Sequence, residues 1–277
     1  MSKSIYCKVC KSDSCFRYDH PDVSIFECTN CKHSFSMIKP QCQQENYTST
    51  YFEKTHKNWF ENPNYKLFRS ISTATISQDS SITLLDVGCG NLDFLSYLTK
   101  RYQNLQLTGI DLSSQKKMPG IDFIQTDFLK YESSVKFDLV YSIMTIEHID
   151  DVTLFIKKLG SFTKKQGKLT ITTINEDSFL YMCAKILRFM GIKLPFNRLY
   201  DKHHINHFSI NSLKKLVSLN GFSFVQTIKH NVPLRCLDIP TNNIITQYLL
   251  KFAVFIIFIM GNIFGKTYCQ TIICKKD

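Results

Sequence analysis

Between residues 81 and 175, short apolar runs recur at a spacing that leaves few folds open. Ile82–Val87 (ITLLDV) reads as a buried strand stopped by glycine. Leu105–Leu112 reads as a second strand, Phe123–Asp127 as a short third and Phe137–Met144 as a fourth. Lys168–Ile174 is the fifth, after a Lys-Lys-Gln-Gly turn. Helical spacing fills the gaps. Asp93–Tyr102 carries Phe94, Leu95 and Leu98, and Asp151–Phe162 sets Leu154, Phe155, Leu159 and Phe162 on one face. Strands joined by helix-length crossovers pair in parallel with right-handed connections, and a parallel sheet needs cover on both faces. Later, Ser209–Leu219 reads as a helix ended by Asn220-Gly221. Phe222–Ile228 and Tyr268–Ile273 read as a sixth and a seventh strand. The expected class is α/β, doubly wound about a seven-stranded sheet.

The first 40 residues cannot build much core of their own and carry paired cysteines instead. Cys7-Lys8-Val9-Cys10 and Cys28-Thr29-Asn30-Cys31 are two C-x2-C turns. Two such turns let four thiolates converge on one ion, which predicts a closed, structural zinc site; iron–sulfur ligation is the alternative, with Cys15, His20, His33 and Cys42 as substitute ligands. Eleven cysteines behind an N-terminus with no apolar signal run point to a reducing, cytoplasmic setting. The chain then divides into a zinc module over 1–40, an aromatic-rich connecting or lid segment over 41–80, and one large domain over 81–277. The connecting segment holds Tyr47, Tyr51, Phe52, Trp59, Phe60, Tyr65 and Phe68.

Leu84–Phe94 (LLDVGCGNLDF) follows a strand and opens a helix, so Gly88 and Gly90 let backbone approach a ligand there. Asp111 ends the second strand, where a carboxylate can accept both hydroxyls of a ribose. Asp127 ends the third strand and can accept from an exocyclic amine, with Phe128 beside a base. LLDVGCG, TGIDLS, DFIQTDF and FDLVYSIMTIEHIDD, in that order, resemble the successive motifs of class I S-adenosylmethionine-dependent methyltransferases. With the cysteine turns and HHINHFSINSLKKLVSLNGF, the chain is similar to a bacterial subgroup of surface-polysaccharide and natural-product pathways. The resemblance implies a Rossmann-like methyltransferase sheet with its last strand antiparallel. It implies S-adenosylmethionine bound by Asp86, Gly88, Cys89, Gly90, Asp111, Leu112, Asp127 and Phe128. The family usually has a third glycine where this chain has Leu92, a side chain expected to crowd the methionine end of the cofactor.

Glu147-His148 follows the fourth strand at the lip of the same crevice. His148 is the expected general base for a hydroxyl acceptor, with Glu147 orienting it. In the quinone-pathway relatives a similar pair serves a divalent metal with a carboxylate three residues upstream; here that position is Met144. His203, His204 and His207 are further candidates to line the acceptor pocket. Two hydrophobic insertions, 179–199 and 231–264, flank the sixth strand. With a net charge of +11, they predict peripheral contact with the inner face of a membrane; a packed cap and a true span are the alternatives. The acceptor expected is a small molecule, a sugar or a lipid-linked intermediate. An rRNA or tRNA methyltransferase, and a non-catalytic zinc-dependent binding protein with a vestigial fold, stay open as second readings. Nucleic acid is less favoured, because charge is nearly balanced in residues 1–40.

Overall fold

Paired cysteines and alternating strand residues turn the N-terminus into a small antiparallel sheet of β1 (Ser14–Asp19), β2 (Val23–Cys28) and β3 (Ser34–Ile38). The computed structural model describes residues 4–42, 58, 61–77, 81–239, 241 and 243–277. Of the aromatic segment, Tyr47, Tyr51, Phe52, Trp59 and Phe60 lie outside the described residues. Tyr65 and Phe68 belong to α1 (Tyr65–Thr75), whose first turn Asn64 caps.

The main sheet then forms around β4 (Ile82–Val87), followed by α2 (Asp93–Thr99). β5 (Leu105–Asp111) and β6 (Ile121–Gln125) extend it on one side, and β7 (Phe137–Ile143) on the other, all parallel. A 3-10 turn, Ile146–His148, leads to α3 (Val152–Phe162), whose N-terminus Asp151 caps by accepting from the Leu154 N–H. β8 (Thr163–Ile174) pairs parallel to β7. It is longer than the sequence predicts. Lys-Lys-Gln-Gly is a bulge inside the strand, with Gln166 at φ 62°, and not a turn before it. Next come α4 (Phe179–Phe189), α5 (Leu194–Leu199), the two-residue β9 (Asn206–His207) and α6 (Ile210–Ser218). β10 (Phe222–His230) is separated by α7 (Ile244–Ile263) from β11 (Cys269–Lys276). The sheet order is β10-β11-β8-β7-β4-β5-β6, with β11 antiparallel to both its neighbours.

Residues alternate between the two faces of this sheet. Leu84, Leu107, Leu139 and Tyr141 pack under α1 and α2 with Phe68, Ile71, Phe94 and Leu95. Leu85, Val87, Val140 and Ile171 pack under α3 and α6 with Phe155, Leu159, Leu213 and Leu216. Cys7, Val9 and Cys28 belong to this second core, so the N-terminal sheet is docked on the large domain. The small sheet is also completed by it. β9 adds to the edge of β3, pairing Ser34 with His207 and Phe35 with Asn206.

Candidate active site and cysteine cluster

In a doubly wound sheet, ligands meet the carboxyl ends of the strands where strand order reverses, here between β4 and its neighbours β5 and β7. At the end of β4, the Gly88 and Cys89 N–H groups donate to the Ile110 carbonyl at 2.8 and 3.2 Å. Gly88 has φ +73°, and a Cβ on it would lie 2.3 Å from Thr145 Oγ1, so only glycine fits beneath that side chain. The Gly90 N–H donates to Asp111 Oδ2 at 2.8 Å, tying the turn to β5. The Ser113 N–H and hydroxyl donate to Asp111 Oδ1 at 2.9 and 2.6 Å. The carboxylate is thus held facing the turn, with Oδ2 able to accept one more donor. Leu112 stands beside it, 59% exposed. Asp86 is the buried acid of this group. Among the described residues its Oδ1 has no hydrogen-bond partner, and burial, with the Asp111 carboxylate adding to it, pushes its carboxyl up to about 8.

Two expectations, for Leu92 and Phe128, are corrected here. Leu92 does not crowd the crevice. It adopts a left-handed backbone, φ 64° and ψ 18°, as the glycine it replaces would, and its side chain is buried. It packs with Cys89 and Leu95 over Gly109, where a Cβ would lie 2.9 Å from Cys89 Sγ and 3.2 Å from Leu92 Cδ2. Gly109 in β5 therefore supplies the room, and Cys89 offers the site its backbone and not its thiol. The Phe128 ring is not beside a base. It is buried against Phe155 and Phe162, because the turn that follows β6 carries it into the core. Asp127 closes its own turn, accepting from the Leu129 N–H at 3.0 Å, with Lys130 Nζ at 3.5 Å.

Across the crevice, β7 is followed by Met144 at φ 55°, a strained conformation for a side chain of that size. The following 3-10 turn presents Glu147 and His148. Glu147 is fully buried and faces inward. Oε2 accepts from Thr173 at 2.8 Å, Oε1 has no partner among the described residues, and burial pushes the carboxyl up to about 7. His148 Nδ1 lies 2.8 Å from the His203 carbonyl, so Nδ1 carries the proton and Nε2 keeps its lone pair. Burial, then the neighbouring His204, lowers its pKa to about 3, so it is neutral at physiological pH and a weaker base than an exposed histidine. Ligand atoms of Glu147, His148 and His204 lie within 4.8 Å of one another, close enough to converge on one cation. His204 brings a third ligand atom to this group, which Met144 does not. His207 stands apart, buried, with Nε2 2.9 Å from Ser36 Oγ.

The four knuckle cysteines also meet. Cys7, Cys10, Cys28 and Cys31 bring their sulfurs within 4.8 Å of one another, with Sγ–Sγ distances of 3.6 Å for Cys7–Cys31 and 3.4 Å for Cys10–Cys28. About 3.7 Å is expected around one tetrahedral zinc with ~2.3 Å bonds. Backbone N–H groups of Val9, Asn30 and Cys31 point at the sulfurs at 3.3–3.4 Å. Each turn ends in a left-handed lysine, Lys11 at φ 60° and Lys32 at φ 57°. Hydrogen bonds from Cys31 and from backbone hold Cys7 down at about 5, ready to act as a thiolate. Cys15, His20, His33 and Cys42 make other contacts and are not in the cluster.

Sequence reasoning did not find Thr145, Asn206 or the role of β9. The Asn206 amide donates to the Ile149 carbonyl at 2.6 Å, and the Ile205 N–H donates to the Glu147 carbonyl at 2.9 Å. A two-residue strand leaves no periodic signal to read.

Comparisons agree with this geometry. The chain is 27% identical over 108 residues to the (S)-tetrahydroprotoberberine N-methyltransferase of Eschscholzia californica, covering 35% of this chain and 31% of that one. It is 30% identical over 118 residues to the ubiquinone biosynthesis O-methyltransferase of Rickettsia typhi, covering 39% and 47%. The chain thus spans between a third and a half of the length of these relatives. In fold it is similar to the Burkholderia thailandensis 1,6-didemethyltoxoflavin-N1-methyltransferase, solved with S-adenosylhomocysteine, at TM-score 0.52 and 12% identity over 90% of this chain and 97% of that one. It is also similar to Haemonchus contortus phosphoethanolamine N-methyltransferase 2, solved with S-adenosyl-L-methionine, at TM-score 0.54 and 12% identity over 88% and 62%. With the methyltransferase-domain family matching residues 58–227, more than half of the chain and the whole of the crevice just described, the protein belongs to that family of methyltransferases.

Proposed function

We propose that the protein transfers the methyl group of S-adenosylmethionine to a small-molecule acceptor, a sugar or a lipid-linked intermediate, and that its cysteine cluster holds one structural zinc. The unpartnered, buried Asp86 Oδ1 beside the Gly88–Gly90 turn carries the reading. A buried carboxyl without a donor is costly unless a ligand supplies one, and a cofactor bearing an ammonium and a sulfonium does. Asp111 Oδ2 accepts from the ribose, and the Gly88–Gly90 backbone lets the cofactor lie against the turn. The cofactor supplies an electrophilic methyl; this chain supplies alignment and proton removal. His148 Nε2 takes the acceptor proton, Nδ1 being held on the His203 carbonyl. In the alternative arrangement His148 Nε2 would not act as base: Glu147, His148 and His204 would together hold a divalent cation that lowers the pKa of a hydroxyl acceptor. The named relatives are a tetrahydroprotoberberine N-methyltransferase and a ubiquinone biosynthesis O-methyltransferase, which supports a small-molecule acceptor but not its being a sugar or lipid-linked. Titration calorimetry with S-adenosylmethionine tests the reading. Asp111→Ala should weaken binding by about 2–4 kcal/mol through loss of charge-assisted hydrogen bonds. Absence of affinity in the unaltered chain would instead favour a non-catalytic binding protein.

A further inference from the structure

α7 is a 20-residue helix, about 30 Å long, that the fold leaves largely uncovered. One stripe of it faces the protein, along Gln247, Lys251, Val254, Phe258 and Gly261. Val254 and Phe258 pack with Val232, Cys269 and Tyr268. The other faces are just as apolar and stand in the open: Ile245 is 68% exposed, Tyr248 69%, Leu249 64%, Phe252 60% and Ile263 68%. α4 and α5 carry the surface on. The Phe179 ring stacks on Phe264 at 6.1 Å, and beyond it Phe189 is 94% exposed and Leu194 61%. Single exposed apolar residues need no explanation, but a contiguous surface of this kind does.

Charge identifies what covers it. The stretch 179–199 holds Lys185, Arg188, Lys193 and Arg198, and 243–266 holds Lys251 and Lys266; neither contains an aspartate or a glutamate. Lys185 is paired with Glu176, and Arg188 lies over the Phe196 ring at 4.5 Å, while Lys193 and Lys266 are exposed at the rim of the apolar surface. An apolar surface with two exposed lysines, Lys193 and Lys266, at its rim and no carboxylate in either stretch matches an anionic bilayer surface, with its acidic headgroups above hydrocarbon.

Topology fixes the orientation. β10 and β11 pair at His230 and Cys269, and Cys269 also pairs with Ile174 of β8. Both ends of the α7 excursion therefore return to neighbouring strands on one side. A span would force the connector 231–243 back through hydrocarbon, and that connector carries Asn231, Arg235, Asp238 and Asn243. The same pairings put the excursion at the carboxyl end of β8, the end of the sheet that holds the glycine turn.

We infer that α7, with α4 and α5, seats the protein on an anionic membrane, with α7 lying in the plane of the interface. The crevice then opens beside the bilayer. That inference does not depend on methyl transfer, and its test does not use activity. The test is flotation of the full chain with vesicles of phosphatidylcholine alone and of phosphatidylcholine with phosphatidylglycerol, at low and high salt. The protein should float with the anionic vesicles, and salt should weaken binding without abolishing it. The double variant Phe252→Asp, Ile256→Asp should bind at least roughly tenfold more weakly, since two apolar side chains no longer leave water for hydrocarbon. Its melting should not change, because both side chains are exposed. Lys193→Glu with Lys266→Glu should lose the preference for anionic vesicles while the apolar surface stays intact. The inference is overturned if the unaltered chain does not float, or if both variants float as it does. It is also overturned if sedimentation velocity without lipid gives a dimer that Phe252→Asp, Ile256→Asp dissociates, which would make the surface a contact between two copies.

Discussion

Asp86 is a carboxyl that the fold has removed from water without giving Oδ1 a partner, and this makes it sensitive to a cationic ligand. Burial raises its pKa to about 8, so in the free protein it binds a proton that it would have lost in the unfolded chain. The native state then binds more protons than the unfolded one, and this group's contribution to stability falls as pH rises from the ordinary carboxylate range through about 8. The slope of stability against pH in urea unfolding should therefore become less negative in Asp86→Asn, between about pH 5 and 8. A sulfonium and an ammonium beside the carboxyl favour its ionised form. S-adenosylmethionine should bind with proton release below about pH 8, seen by calorimetry in buffers of different ionisation heat, and Asp86→Asn should release none. Leu92 gives the second prediction at this scale. A glycine would relax the left-handed backbone, worth about 1 kcal/mol, but would leave a hole in the core over Gly109, where truncating a leucine costs about 2–5 kcal/mol. Leu92→Gly should lower stability by about 1–4 kcal/mol in chemical unfolding, yet leave cofactor affinity unchanged, because the side chain points away from the crevice.

At the scale of elements, the short strand β9 couples the two parts of the chain. One edge pairs with β3, and the Ser36 hydroxyl meets His207 at 2.9 Å. On its other side, Ile205 and Asn206 donate to the carbonyls of Glu147 and Ile149, on either side of His148. Lys8, inside the first cysteine turn, pairs with Asp150 at 2.8 Å, and its carbonyl accepts from Thr153. The cysteine turns thus support the 3-10 turn that presents His148, while the glycine turn at β4 is held independently by Ile110 and Asp111. Cys28→Ser, or a strong chelator, should remove the metal and lower the melting temperature. Affinity for S-adenosylmethionine in the fraction still folded should change much less than that of the acceptor. Metal content measured alongside both affinities checks this; a metal-free protein with unaltered melting would end the zinc assignment.

For the whole molecule, the sheet and the α7 excursion are separable by the topology. Because His230 and Cys269 are paired neighbours, a short glycine-rich loop can join β10 to β11 in place of the helix and its connectors. Among the described residues, the core given up is the packing of Val232 and Phe258 on Cys269 and its neighbours. A chain with that replacement should fold, melt a few degrees lower and bind S-adenosylmethionine as before, because the glycine turn, Asp86 and Asp111 lie on β4 and β5. Thermal unfolding with and without the cofactor measures this, and loss of the cooperative transition would mean that the helix is part of the core.

How much of this was legible follows from where each signal resides. Ile82–Val87 reads correctly to the residue because a buried parallel strand ended by glycine is specified by its own composition and by the φ +73° that Gly88 must adopt. The order of strands and helices and the meeting of Cys7, Cys10, Cys28 and Cys31 were legible for similar reasons of period and spacing, whereas the antiparallel last strand came only from the family resemblance. What lay beyond the sequence depends on partners far along the chain. Leu92 is harmless only because Gly109, seventeen residues on, leaves space beneath it. Phe128 turns inward because Phe155 and Phe162 wait there, and Lys-Lys-Gln-Gly stays in the strand because β7 continues beside it. His204 joins Glu147 and His148 because β9 is clamped between the cysteine sheet and the 3-10 turn. Local propensity and hydrophobic period determine which segments form elements and in what order; burial, desolvation and contacts between distant residues decide where each side chain points and which charge it can carry.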